Sequence, residues 1–587
     1  MLFPFYYAII KRVRVNVYFE RIMLMKTIRE LIEKFMYEQL EYCVSMVDKD
    51  GGDTLFRGIR VMDGPAEQFV YGALVNASVS LYLYYVKNGD ERAEKMLSAV
   101  KKFTKSACSA QIKTWGKLSV LRAMANLYKA GKLDIIPADD IEILKEKTNY
   151  EDFFEKSEMK LIEVSTTNYM RVAMACAGFR EMMGWDTEPF CDKIRDKLIF
   201  IMTNGSDNGY MDEDPPMARF DRYSIIVTSE LSDTMEAMER EVPQPVLDNL
   251  AHAAKMSVQM ANEKGDGINY GRSLSCFGDA ATLEILASAF ARGLIADEDR
   301  DQAHLYCIRI TEKIFDFWYD KELRSFNIWW NGRSTNRYRE ERRVLEVNMD
   351  MAIHMLTTLH NFEIAGLADT LPNIERLPYP EKWVATPFTF RKDTEQSAEA
   401  IILRRKDTMV MLPLVGLGKM YMNAAYQPYP NICGVIEAAP DAKYPFLVPQ
   451  YKTEDGALYR PTQFYTDIKT ESRCGGVKVT AKGKLAMLGE VYPKKSEYGF
   501  ETTFFFSGDT ISAEFVTDLE GAEAEMLVGF HEEGFTFKAT GFDGNREETV
   551  DGVYNFLTPA GPIVKAVTYT AKKAGKLSYK ITLNADI

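Results

Sequence analysis

From Met25 to about Leu359 the chain repeats one rhythm, in which apolar residues recur three and four positions apart in segment after segment. Val172, Cys176, Phe179 and Met183 step by helical intervals before Gly184, and Leu283, Leu286 and Phe290 do so before Gly293. Val70, Leu74, Ala77 and Leu81 form another such stripe. The pattern predicts twelve helices, near 26–47, 68–86, 92–107, 115–130, 138–160, 168–183, 188–203, 223–240, 244–262, 274–292, 298–319 and 344–361.

The links between them alternate. After every second helix the connection is a tight turn carrying Gly or Pro: KNGDE, AGKLD, GWDTE, REVPQ, GLIADE. The other links are mostly longer and collect Asp, Asn, Tyr, Trp and Arg, as in NGSDNGYMDEDPPMARFDR, GDGINYGR and RSFNIWWNGRSTNRYREERR. Helical hairpins joined in series put all tight turns at one end and all other links at the opposite end. Six hairpins closing on themselves form an (α/α)6 toroid whose alternate helices line the centre. An open solenoid would show self-similarity at a fixed repeat length, and none is found.

Past Asn373 the pattern changes. LPNIERLPYPEKW is a Pro-containing linker, and beyond it short β-rich runs such as AIILRR, TMVMLPLV, YGFETTFFF, ISAEFV and LSYKITL alternate with turns. The expected organisation is an extension over 1–25 that the fold does not need, the toroid with its active cleft over 26–372, a linker over 373–390 and an antiparallel β-sandwich over 391–587. The order of the first residues, MLFPFYYAII before KRVRVNVYFER, is the reverse of a secretory signal, and the apolar run is too short to span a membrane. Met23 or Met25 is therefore the expected start of a cytoplasmic protein.

Composition narrows the picture little. Over 587 residues the net charge is -13, which disfavours nucleic acid and anionic membrane as partners. The eight Cys are in no CxxC spacing, and several sit in helical patterns, as expected of reduced thiols.

Candidate chemistry concentrates in the long links. The segment 204–223 offers Asp212, Asp214 and Asp221 with Tyr210 and Tyr223, and glycosidic hydrolysis needs carboxylates held close together. An acidic turn ending in an N-cap at Asp221 is the plain alternative. In GDGINYGRS, Tyr270 and Arg272 stand at a helix start, where an Arg fork suits a sugar carboxylate. Trp329, Trp330, Arg333 and Arg337 are candidates for stacking on sugars and binding their polar groups, as are Asn168 and Tyr169 at another helix start. The five His are scattered without zinc-ligand spacing, and neither a P-loop nor GxSxG occurs, so no metal or cofactor is expected.

The run NYGRSLSCFGDAATLEILASAFARGLI resembles a stretch in a family of bacterial toroid proteins long catalogued as of unknown function, which carries a Gly-Arg-Ser-Leu motif, here Gly271 to Leu274. FDRYS and YQPYPNICGVIEAAP are similar to it as well. The resemblance implies a fold related to heparinase-like polysaccharide lyases and, for some members, β-glucuronidase activity. The expectation is a hydrolase acting on uronate-containing oligosaccharides, with two of Asp212, Asp214 and Asp221 as acid and base and with Arg272 or Arg337 on the substrate carboxylate. Two alternatives stand beside it: a lyase using Tyr223, Tyr270 and Asn168, and a non-catalytic glycan-binding protein.

Overall fold

The computed structural model describes residues 25–56, 58–62, 67–162, 167–271, 276–326, 341–416, 418, 430–432, 447–473, 475–489, 491–531, 535–548, 557–558 and 561–584. Among them are twelve α-helices: α1 (Ile28–Asp50), α2 (Glu67–Lys87), α3 (Arg92–Ser109), α4 (Thr114–Lys129), α5 (Ala138–Lys147), α6 (Asn168–Met182), α7 (Cys191–Gly205), α8 (Arg222–Ala237), α9 (Gln244–Gln259), α10 (Cys276–Ala291), α11 (Arg300–Lys313) and α12 (Val344–Ile364). The even-numbered helices pack α2 on α4, α4 on α6, α6 on α8, α8 on α10 and α10 on α12, and α12 closes back on α2. This is an (α/α)6 toroid, with the odd-numbered helices outside.

The inner helices are buried on nearly every side. In α10, fifteen residues from Cys276 to Phe290 are buried, so the helix lacks a polar face. Each fully buried Leu, Ile or Phe contributes about 1.5–3 kcal/mol relative to exposure. The ring is tight where α2 meets α4: a Cβ on Gly72 would overlap the Gly116 backbone. Thr27 starts α1 with a capping box, its hydroxyl facing Glu30 N while Glu30 accepts from Thr27 N.

Two helices are shorter than their periodicity predicts. α5 stops at Lys147, and Tyr150–Asp152 is a 3-10 turn begun by Asn149, whose side chain accepts from Glu151 N. α11 ends at Lys313 and continues as a π turn over Ile314–Trp318. Three two-residue hairpins follow outer helices in the long links: Leu55–Phe56 with Ile59–Arg60, Phe154–Glu155 with Lys160–Leu161, and Tyr319–Asp320 with Ser325–Phe326.

The β region has two principal antiparallel sheets. One holds Val384–Arg391, Ala398–Arg405, Thr408–Leu414 and Asn431–Ile432. The other has twelve strands, including the adjacent Gly476–Met487, Lys494–Ser507 and Thr510–Thr517. Val384–Arg391 falls mostly inside the stretch expected as linker. The smaller sheet lies between the toroid and the larger sheet. Ala398, Ala400, Ile402, Met409 and Met411 join the helical core, while Ile401, Leu403, Val410, Leu412 and Leu414 join the β core. Alternate residues of a strand face opposite sides, so two buried faces require a continuous apolar run. That is why AIIL and MVML show no alternation.

Candidate functional site

The acidic link before α8 is folded into a buried joint. Asp212 accepts hydrogen bonds from the backbone N–H groups of Asp214 (3.1 Å), Ala218 (3.0 Å) and Arg219 (3.1 Å) and from Arg391 Nη2 (3.1 Å). Burial raises its pKa, with Arg391 and the backbone donors pulling the other way. Asp221 caps α8, accepting from Tyr223 N at 2.9 Å, and pairs with Arg219 at 2.6 Å. Tyr492 donates to Asp214 at 3.1 Å. Glu213 reaches α6, where its carboxylate accepts from Asn168 N at 3.1 Å. Asn168 is thus the first helical residue, served by Glu213 at the positive end of the helix.

These contacts occupy the carboxylates that the sequence offers as acid and base. Asp212, Asp214 and Asp221 are 1%, 2% and 2% exposed and fasten the link to itself and to the β region. Gly271 adopts φ +90 against Asp221, and a side chain there would overlap it. Tyr210 and Tyr270 are buried, with hydroxyls that find no hydrogen-bond partner among the described residues and pKa values pushed up by burial. Tyr223 is buried beneath the Arg222 guanidinium, 4.9 Å from its ring centroid. Tyr169 is half-buried and meets Trp115 edge-on at 6.0 Å. Arg272, Trp329, Trp330, Arg333 and Arg337 lie outside the described residues.

A large cavity lies elsewhere, in the toroid lumen. It measures about 590 Å³, within the range of roughly 300–1,000 Å³ usual for small-molecule sites. Along α4 its wall runs from Trp115 to Lys129, about 21 Å at the helical rise of about 1.5 Å per residue. All six inner helices contribute to it. α8 supplies Glu230 and Asp233, α10 supplies Glu284, α12 supplies Asp350 and His354, and α4 and α6 supply Arg122 and Arg171.

The charges in this lumen are arranged unequally. Arg171 Nε lies 2.9 Å from Glu230 Oε2, and its guanidinium stands over Trp115 at 5.2 Å. Asp233 accepts from Ser288 Oγ (2.8 Å) and Asn361 Nδ2 (3.1 Å) and lies 3.1 Å from Arg292. Burial nevertheless pushes Asp233 up to about 6, assisted by the charge of Glu284 and opposed by Arg292 and the two hydrogen bonds. His354 Nδ1 is 3.0 Å from Glu284 Oε2, and Nε2 is 3.6 Å from Asp350. Burial works against a charge on His354, but Glu284 and Asp350 outweigh it and hold the imidazolium to about 9. Glu284 Oε1 is buried without a hydrogen-bond partner among the described residues. No hydrogen bond or ion pair joins Arg122 to any described residue. Burial and the nearby Arg171 lower its pKa, while Asp350, Glu230 and Asp233 act in the opposite sense.

None of these lumen groups was a sequence candidate. The available signal was charge inside an apolar helix: Asp279 and Glu284 are the charged residues of Cys276–Ala291. His354 carries no ligand spacing and reads as structural in isolation. Among the described residues, no three His, Cys, Asp or Glu side chains are grouped to hold a metal ion.

No protein-family model matches the chain, and no curated protein matches it. Solved structures do. Heparinase III is similar over 94% of this chain and 85% of its own, at 10% identity and a TM-score of 0.49. Chondroitin AC lyase of Streptomyces coelicolor A3 is similar over 93% and 79%, at 10% identity and 0.42. An unsaturated glucuronyl hydrolase from Streptococcus agalactiae is similar over 55% and 90%, at 10% identity and 0.38.

Proposed function

We propose that this protein is a carbohydrate-active enzyme that hydrolyses uronate-containing oligosaccharides inside the toroid lumen, with Asp233 as the acid and Glu284 as the second carboxylate. One observation carries the reading: Asp233 and Glu284 face the same cavity from neighbouring inner helices, with Asp233 pushed up to about 6. A carboxyl group whose proton affinity burial raises towards neutral pH suits the role of acid.

In this mechanism protonated Asp233 gives its proton to the glycosidic oxygen as the bond to the anomeric carbon breaks. Glu284 attacks that carbon or takes a proton from the attacking water, according to the separation of the two carboxyls once substrate is bound. His354 is a positioning residue: as an imidazolium it donates to Glu284 Oε2 and holds the carboxylate in place. Its retained proton makes it unsuited to removing one from substrate, which favours hydrolysis over elimination.

The uronate is inferred from Arg122. A cavity-lining guanidinium without an ion pair among the described residues is completed by a carboxylate brought by the ligand, and the Arg fork binds both oxygens. Trp115, Tyr37 and Tyr84 supply aromatic surface for sugar rings.

The test is a panel of uronate oligosaccharides incubated with the protein. The expected product is a saturated uronic acid, lost in both Asp233→Asn and Glu284→Gln. Ultraviolet absorbance from a new C4–C5 double bond would mean a lyase, and binding without turnover would mean a glycan-binding protein.

A further inference from the structure

The lumen is graded in exposure from one end to the other. Near the amino ends of α8 and α10 the described side chains are buried. Arg222 donates from Nε to Phe277 O at 2.9 Å and stands over the rings of Tyr223 at 4.9 Å and Phe277 at 5.6 Å. Asn168 and Arg171 on α6 are 2% exposed. At the carboxyl ends of the inner helices the cavity wall reaches Lys87, Asn88, Lys129, His360 and Glu363, all of them exposed. The described cavity therefore opens among the tight turns, at the end of the toroid opposite the long links.

Tyr37 of α1 and Tyr84 of α2 line the cavity towards this mouth and stack on each other, with ring centroids 3.6 Å apart and planes inclined by 18°. Both are half-buried, and neither hydroxyl hydrogen-bonds to a described residue. A paired aromatic platform with free hydroxyls suits the apolar face and hydroxyl edge of a sugar ring.

We propose that the saccharide is admitted through the tight-turn mouth and that Tyr37 and Tyr84 form a subsite for the sugar nearest solvent. The proposal rests on the reading of the lumen as the catalytic site. In it, the terminal uronate passes the tyrosines and reaches Asp233 and Glu284, while the remainder of the chain stays at the mouth.

The test places a removable obstruction at the rim. His360, exposed at the end of α12, is replaced in His360→Cys; the six described native cysteines are buried, and parent protein treated identically controls for any other thiol. A small methylthio adduct should leave kcat/KM for a uronate tetrasaccharide within about 2-fold, whereas a polymer-maleimide adduct should lower it about 10-fold or more. Tyr84→Ala should raise KM for the tetrasaccharide more than for the disaccharide. An unchanged kcat/KM in the polymer adduct, or an equal rise of KM for both substrates in Tyr84→Ala, overturns the proposal. Glu284→Gln, assayed in parallel, separates the two readings: its inactivity beside a fully active polymer adduct leaves catalysis in the lumen but access elsewhere, and full activity of Glu284→Gln removes the lumen mechanism itself.

Discussion

His354 Nδ1 and Glu284 Oε2 face each other at 3.0 Å, one on the last inner helix of the toroid and the other on its neighbour. The pair ties α12 to α10 inside the lumen and sets a pH dependence. The folded-state pKa of His354, about 9, lies above the value of roughly 6.5 expected of an unfolded His. Its stabilisation is therefore complete below about 6.5 and is lost as pH rises through about 9, with an upper bound of about 3 kcal/mol. Wild type should lose unfolding free energy across this window in chemical denaturation, and His354→Asn should show a flatter profile. Parallel profiles would contradict the pairing.

Asp233 should govern the alkaline limb of the rate profile. As the acid it must carry its proton, so kcat should fall as pH rises past about 6. Asp233→Asn should lower kcat by about 100-fold or more and abolish that limb. A variant that keeps both the limb and the rate would assign the acid to another group.

Arg122 carries a prediction in which binding and stability move apart. Without an ion pair to lose within the described protein, Arg122→Met should leave the melting temperature unchanged or higher, while KM for a uronate substrate rises about 10-fold or more and KM for the matching neutral sugar does not. Arg122→Lys should recover only part of the loss, since Lys keeps the charge but not the fork. Equal effects on charged and neutral sugars would exclude a carboxylate contact.

Arg391 and Asp212 should behave as a structural pair. Arg391→Met leaves the buried Asp212 carboxylate with its backbone donors alone and should cost about 1–3 kcal/mol of stability. Activity per folded molecule should stay near wild type in both Arg391→Met and Asp212→Asn. A stable but inactive Asp212→Asn would return the acidic link to the catalytic machinery.

These carboxylates show where sequence reading succeeds and where it stops. The inner ring was legible because stripes such as Val172, Cys176 and Phe179 are local and the tight turns mark every second helix end. The smaller sheet was legible as β but not as a layer between two cores, since an apolar run records burial on both faces without naming the partners. The acidic link drew the chemical reading because it gathers Asp212, Asp214 and Asp221 within ten residues; three backbone N–H groups and Arg391 show that proximity serving loop structure instead. The lumen set has the opposite character. Arg122, Asp233, Glu284 and His354 come from four helices and share no motif, and only closure of α12 onto α2 brings them around one cavity.

The most direct measurement of the central claim is a crystal structure of Glu284→Gln with a uronate disaccharide bound. The account predicts the sugar in the lumen between Trp115 and the Tyr37–Tyr84 stack, with its carboxylate on Arg122 and its glycosidic oxygen within hydrogen-bond reach of Asp233. A disaccharide held instead at the long-link face beside Tyr270 and Asp221, with the lumen empty of sugar, would contradict it.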